Sequence, residues 1–376
     1  MDWHPRAYLI QTFIFLFLGF TISCNKDNSP SESDSNLPGE DSNLPVGKVE
    51  FDISPIDLEG VTFFEPMGQM GVFPQDHGGF HHVQTGVLEP SIRIYALADG
   101  HISALGKSGD DFWVDIKYST TISTKLGHVG RFESFILDQS GPLLEGQPVF
   151  INIDVKKGQV IGYVSSFSAL DIGLHDQEST KSFCYPQLFW FETLFASDIF
   201  DYFREPVKSE LLTKAIREQA PRGGKVDFDV KGALMGNWFL QGGGGAKDKF
   251  ENHFAIGYDH IHPQRVAIYD GYAHFAEDNL TYFHAWIKSN GPSPEIINLD
   301  YGIVKYEIVH KRWLSSSDGI NFILESLDGV DEQTPLGVFL FEMLDSETMQ
   351  VEYFPNQLAD VITEFSGNQR IYVRNP

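Results

Sequence analysis

The stretch "QDHGGFHHV" at 75–83 gathers His77, His81 and His82 around two glycines. Imidazole nitrogens ligate zinc and carry protons at neutral pH, so these residues could hold a metal, run acid–base chemistry, or mark a turn entering a strand. On a strand His82 would point away from His81. Three further places are chemically competent: His128 in "TKLGHV", Asp171 in "SALDIG", and the pair His175-Asp176 beyond it. A second cluster, "YDHIHPQR", contains His260-Ile261-His262, with His253 and His274 nearby. As a strand, H-x-H would put two rings on one face at ligating distance; Asp259 and Pro263 instead fit an exposed turn between strands.

The elements that must position these groups are short and β-rich. From 49 to 185, runs such as "IRIYALADGHISAL", "DDFWVDIKYST", "PVFINIDV" and "QVIGYVSS" alternate with turn residues and predict an antiparallel β domain. From 186 to 224 the spacing becomes helical, with an aromatic stripe at Phe189, Trp190, Phe195, Phe200 and Phe203. This predicts a connector of one or two helices broken at Pro206 and ended by Pro221, Gly223 and Gly224. From 225 to 376 about eight β runs return, predicting a second antiparallel domain, barrel or sandwich. Gly236-Asn237-Trp238 resembles the G-x-W triplet of lipocalin-like barrels. The "QGGGGAKDK" run at 241–249 lacks the G-K-[ST] order of a phosphate loop and reads as a loop joining strands. The fold class is therefore mostly β.

A length of 376 residues fits two domains plus accessory segments, and 42% hydrophobic with 14% aromatic residues is a globular composition. The formal charge of −25 repels phosphate backbones, which excludes nucleic acid as a partner class. Residues 1–23 carry the apolar run "AYLIQTFIFLFLGFTIS" and read as a signal peptide. Ser23-Cys24 resembles the lipobox of bacterial lipoproteins, although Thr21 departs from its usual leucine. The resemblance implies lipid on Cys24, membrane attachment and a place in the cell envelope. The 24–48 stretch, rich in Ser, Asn, Asp and Pro, has almost nothing to bury and reads as a disordered spacer. Cys184, the other cysteine, then has no intrachain partner and reads as an inert thiol.

Three stretches of the 49–185 segment resemble the M23 (LytM- or lysostaphin-like) peptidase domain. "IYALADGHISAL" is similar to the family's V-x-A-x-x-D-G-x-V, "VKKGQVIGYV" to its V-x-K-G-Q-x-I-G hairpin, and "TKLGHV" to its T-x-Y-x-H-L, in matching order. The resemblance implies a small duplicated-hybrid-motif-like β-sheet fold, one zinc ion and action on cell-wall peptides. Carried over, His77 takes the first ligand position and His128 a catalytic one. His81 stands where the family has aspartate, and Ala169-Leu170-Asp171 where it has H-x-H. The implied ligand set is His77, His81 and Asp171, still two imidazoles and one carboxylate. Ala169 can neither accept nor donate a proton, so the resemblance implies a retained scaffold that has lost hydrolysis.

Three functions follow as expectations. The first is an exported, membrane-tethered module that binds peptidoglycan or a cell-wall hydrolase without cutting. The second is a zinc metallopeptidase using His77, His81, Asp171 and His128. The third is an unrelated β surface protein that binds carbohydrate or protein.

Overall fold

The computed structural model describes residues 43–69, 75–82, 92–165, 169–249, 252–270, 283–288, 291–310, 313–315, 322–324 and 333–376. The 1–23 segment, Cys24, most of the spacer and His274 lie outside the described residues.

The alternating runs form strands, and the chain is mostly β. The first sheet contains β1 (Val61–Glu65), β2 (Gly78–His82), β3 (Arg93–Tyr95), β4 (Gly100–Ser108), β5 (Asp111–Lys117), β6 (Ile122–Phe132), β7 (Val149–Val155), β8 (Val160–Val164) and β9 (Ala169–Asp176). Its order is β1-β2-β9-β6-β5-β4-β7, with β8 pairing β3 and β6, every pair antiparallel. The two-residue period decides which side chains reach solvent. Along β9, Leu170, Ile172 and Leu174 enter the core beside Phe80, Leu126 and Val114. Ala169, Asp171, Gly173 and His175 therefore share the opposite face. A short helix α1 (Ser134–Ser140) links β6 to β7.

The connector is less helical than its aromatic spacing predicts. It holds α2 (Phe191–Phe195), α3 (Val207–Leu212) and single 3-10 turns at Pro186–Leu188 and Ile199–Tyr202. Pro206 breaks no helix and instead caps the start of α3. Burial of Phe189, Phe200 and Phe203 against neighbouring cores sets the path of this segment, so its spacing reports packing instead of a continuous helix. Near its end Gly224 (φ +97°) crosses Gly68 (φ +101°). A Cβ on either glycine would lie 2.0 Å from a backbone carbonyl oxygen, which only glycine at both places avoids.

The C-terminal strands are β10 (Gly236–Leu240), β11 (His253–Tyr258), β12 (Val266–Asp270), β13 (Phe283–Ile287), β14 (Val304–His310), the ribbon β15 (Trp313–Ser315) with β16 (Phe322–Leu324), then β17 (Gly337–Met343), β18 (Thr348–Pro355) and β19 (Arg370–Val373). All except the ribbon close into an eight-stranded barrel through pairing of β19 with β10, so of the two expected architectures the chain adopts the barrel. The 241–249 run connects β10 to β11 but contains a helical turn, α4 (Ala246–Lys249). Trp238 of the G-x-W triplet is fully buried, and the guanidinium of Arg374 lies 3.9 Å over its ring. Sheet and barrel meet through a buried apolar cluster that includes Met67, Phe189, Ala196 and Phe239.

Candidate functional site

Asp171 occupies the middle of the sheet's polar face. It pairs with Gly79 of β2 on one side and Gly127 of β6 on the other, so neither neighbouring strand places a side chain beside it. His77 precedes β2, and its ring lies between two carboxylates: Nδ1 is 3.0 Å from Asp76 Oδ1 and Nε2 is 3.4 Å from Asp171 Oδ2. His128 approaches the same oxygen, its Nε2 3.3 Å from Asp171 Oδ2 and its Nδ1 2.7 Å from Asp111 Oδ2. The backbone of His128 makes this possible. It has φ +56°, unusual for a residue with a side chain, and sits where the pairing of β6 slips against β5 and β8. Such a bulge redirects a side chain, and the bond to Asp111 holds the strained conformation. On the far side, Thr193 of α2 donates its hydroxyl to Asp76 Oδ2 at 2.9 Å, so the connector buttresses the cluster.

Electrostatics follow from this packing. Burial would push the His77 imidazole down, but Asp171 and Asp76 overcome it and raise the group to about 10. His128 is raised as well, chiefly by its hydrogen bond with Asp111. Burial acts against the charge on Asp171, yet His77 and His128 hold its carboxyl below the usual range. His77, raised to about 10, is therefore an imidazolium at neutral pH, and His128 is shifted in the same direction.

His81 does not join it. Its Nε2 bonds Glu65 Oε2 at 2.9 Å while its ring stacks on Phe63 at 4.3 Å. The other oxygen of Glu65 is 3.1 Å from Nε2 of His260, whose side chain is fully buried. The expected set His77, His81 and Asp171 is thus not assembled, because Glu65 on the adjacent strand captures His81. Among the described residues no group of three or more His, Cys, Asp or Glu side chains is placed to hold a metal ion.

The H-x-H stretch does form a turn between β11 and β12, but a buried one. Asp259 accepts from the backbone of Ile261 and His262 and from Trp286 Nε1, and Arg217 donates to the carbonyls of Asp259 and His260. These bonds satisfy the polar groups and allow the loop to sit against the sheet. His175 lies over Gly173 beside His77, packed edge-on to Phe191, and burial pushes its imidazole down, toward the neutral form. It does not replace the missing proton carrier, since six residues of extended strand, roughly 20 Å, separate it from Ala169. Cys184 is a free thiol whose ionisation burial pushes up.

Reading the sequence singled out His77, His128 and Asp171, which converge. It missed Glu65, Asp76, Asp111 and Thr193. Asp76 had one available signal, its position directly before His77.

Fold and site together define a two-part antiparallel β protein: a sheet bearing His–carboxylate–His bridges, joined to a closed barrel. No family model and no curated protein matches the chain. Among solved structures it is similar to Csd3 of Helicobacter pylori, at 19% identity over 35% of this chain and 32% of that one, with a TM-score of 0.24. A zinc-containing peptidase of Vibrio cholerae matches at 16% identity over 35% and 38%, TM-score 0.23. Pseudoalterin, an M23 metalloprotease from the deep sea, matches at 11% over 37% and 77%, TM-score 0.23. The chain spans about a third of the length of the first two.

Proposed function

We propose that this chain is an exported envelope protein, tethered to a membrane through lipid on Cys24, whose sheet face binds cell-wall peptide without cleaving it. One observation carries the non-hydrolytic part: both ring nitrogens of His77 and of His128 face carboxylates, and both groups are raised. His77, raised to about 10 with both N–H groups engaged by carboxylates, has no lone pair to act as a base near neutral pH. Ala169 supplies no substitute. Loss of one acid–base partner commonly costs about a hundredfold in rate. The export and wall-partner parts are supported by the N-terminal run and by the motif resemblance of the 49–185 segment.

Purified full chain is expected to co-sediment with insoluble peptidoglycan sacculi and to release no soluble fragments. Metal analysis is expected to find no stoichiometric zinc. Chelator-sensitive release of wall peptides would overturn the reading, as would failure to sediment.

A further inference from the structure

We propose that the gap above Gly79 seats a primary ammonium group on an aliphatic stem; this rests on the wall-binding reading and names the chemical group recognised. Asp171 is the anchor. Its Oδ2 faces both imidazoles, whereas among the described residues no hydrogen bond reaches its Oδ1, and 28% of the side chain is exposed.

Gly79 stands directly opposite. A glycine inside a strand weakens the strand and marks a tight bend, a bulge or the close approach of another group. Gly78, the residue before it, is glycine for a reason of folding: a Cβ there would lie 2.3 Å from the Phe64 ring and 2.7 Å from the carbonyl oxygen of Glu65. Gly79 has no such constraint. A Cβ there would meet His81 Nε2 at 3.4 Å, Asp171 Oδ1 at 3.5 Å and Ala169 Cβ at 3.7 Å, ordinary contact distances, and its φ is not left-handed. The fold would accept a methyl group, so the bare backbone serves something arriving from outside.

The walls of the gap specify the visitor. Oδ1 accepts a hydrogen bond, and the His81 nitrogen opposite is already bonded to Glu65. The Ala169 methyl supplies an apolar side, so the residue that removes acid–base chemistry also makes room for an alkyl stem. Asp76, Asp111 and Asp171 outnumber His77 and His128, leaving one negative charge even with both rings protonated. The formal charge of −25 on the chain adds the same sign. A compact ammonium offers donors and charge to Oδ1, and its methylene stem can lie along the methyl.

The test uses the full chain and two probes, N-acetyl-lysine amide and the uncharged N-acetyl-norleucine amide, with imidazole NMR as readout. The lysine amide is expected to shift the His81 and His77 resonances and the norleucine amide to leave them unchanged. Gly79→Ala is expected to bind the lysine amide about tenfold more weakly or worse with an unchanged melting temperature, since a single methyl decides fit at this scale. The probe comparison on the unaltered chain stands even if the variant folds poorly. Equal response to both probes, no response to either, or undiminished binding by folded Gly79→Ala would each overturn the proposal. A chain that pellets with sacculi but ignores the lysine amide refutes the ammonium seat and leaves wall binding intact. A chain that binds the amide but not sacculi supports the seat and refutes the wall as its source.

Discussion

Asp171→Asn is expected to destabilise the protein by about 2–3 kcal/mol at pH 7 and to remove part of its sensitivity to alkali. The side chain faces His77 and His128 through one oxygen, and an amide leaves both imidazoles without their shared counter-charge. Breaking a buried pair commonly costs about 3–5 kcal/mol; the partial exposure of all three groups reduces that figure here. The pH dependence has a definite sign. His77 has a folded value of about 10 against 6.5 for a free imidazole, so its contribution is complete below pH 6.5 and disappears as pH rises through 10. Asp171, depressed in the folded state, contributes in the opposite direction: its share is lost as pH falls through its folded value. Denaturant unfolding measured between pH 6 and about pH 10 should therefore decline for the native sequence and decline less for the variant. Imidazole NMR should place His77 closer to its ordinary range in the variant. Parallel slopes for the two proteins would show that the bridge does not set the charge state of His77.

Arg374→Ala should be the most damaging substitution in the barrel, at about 4 kcal/mol or more. The guanidinium is almost wholly buried. It donates to the carbonyl oxygens of Asn237 at 2.8 Å, Ala233 at 2.7 Å and Met235 at 2.6 Å, with Asp229 as its counter-charge at 3.4 Å. It also covers the Trp238 ring. Alanine would leave a cavity, several carbonyls without donors and Asp229 without its counter-charge, although Asn237 and Cys184 still donate to that carboxylate. Arg374→Lys should recover only part of the loss, because an ammonium keeps the charge but lacks the planar fork that spans several acceptors. Thermal unfolding of both variants provides the check: a melting temperature for Arg374→Ala within a few degrees of the native value would remove Arg374 as the fastener of this barrel end.

Much of the architecture was legible without coordinates because strands announce themselves locally. The alternation along "ALDIGLHD" determines which residues face the core, and β9 follows it. The connector departs from its local pattern for a related reason: its aromatics meet two different cores, so their spacing carries no single helical face. For the site, His77, His128 and Asp171 stood out through residue type and motif position, but their partners did not. Asp111 was an unremarkable residue at a strand start until the bulge at His128 turned the ring toward it.

What the residues by themselves determined was the β class, the face on which Asp171 stands, and the absence of a proton carrier at Ala169, because each depends on local period or on side-chain chemistry. Only the tertiary structure decided where His81 goes. Glu65 and His260 lie 195 residues apart, and their meeting is set by the barrel packing against the sheet. A carboxylate engages whichever donors folding brings within about 3 Å, and no local pattern encodes that distance.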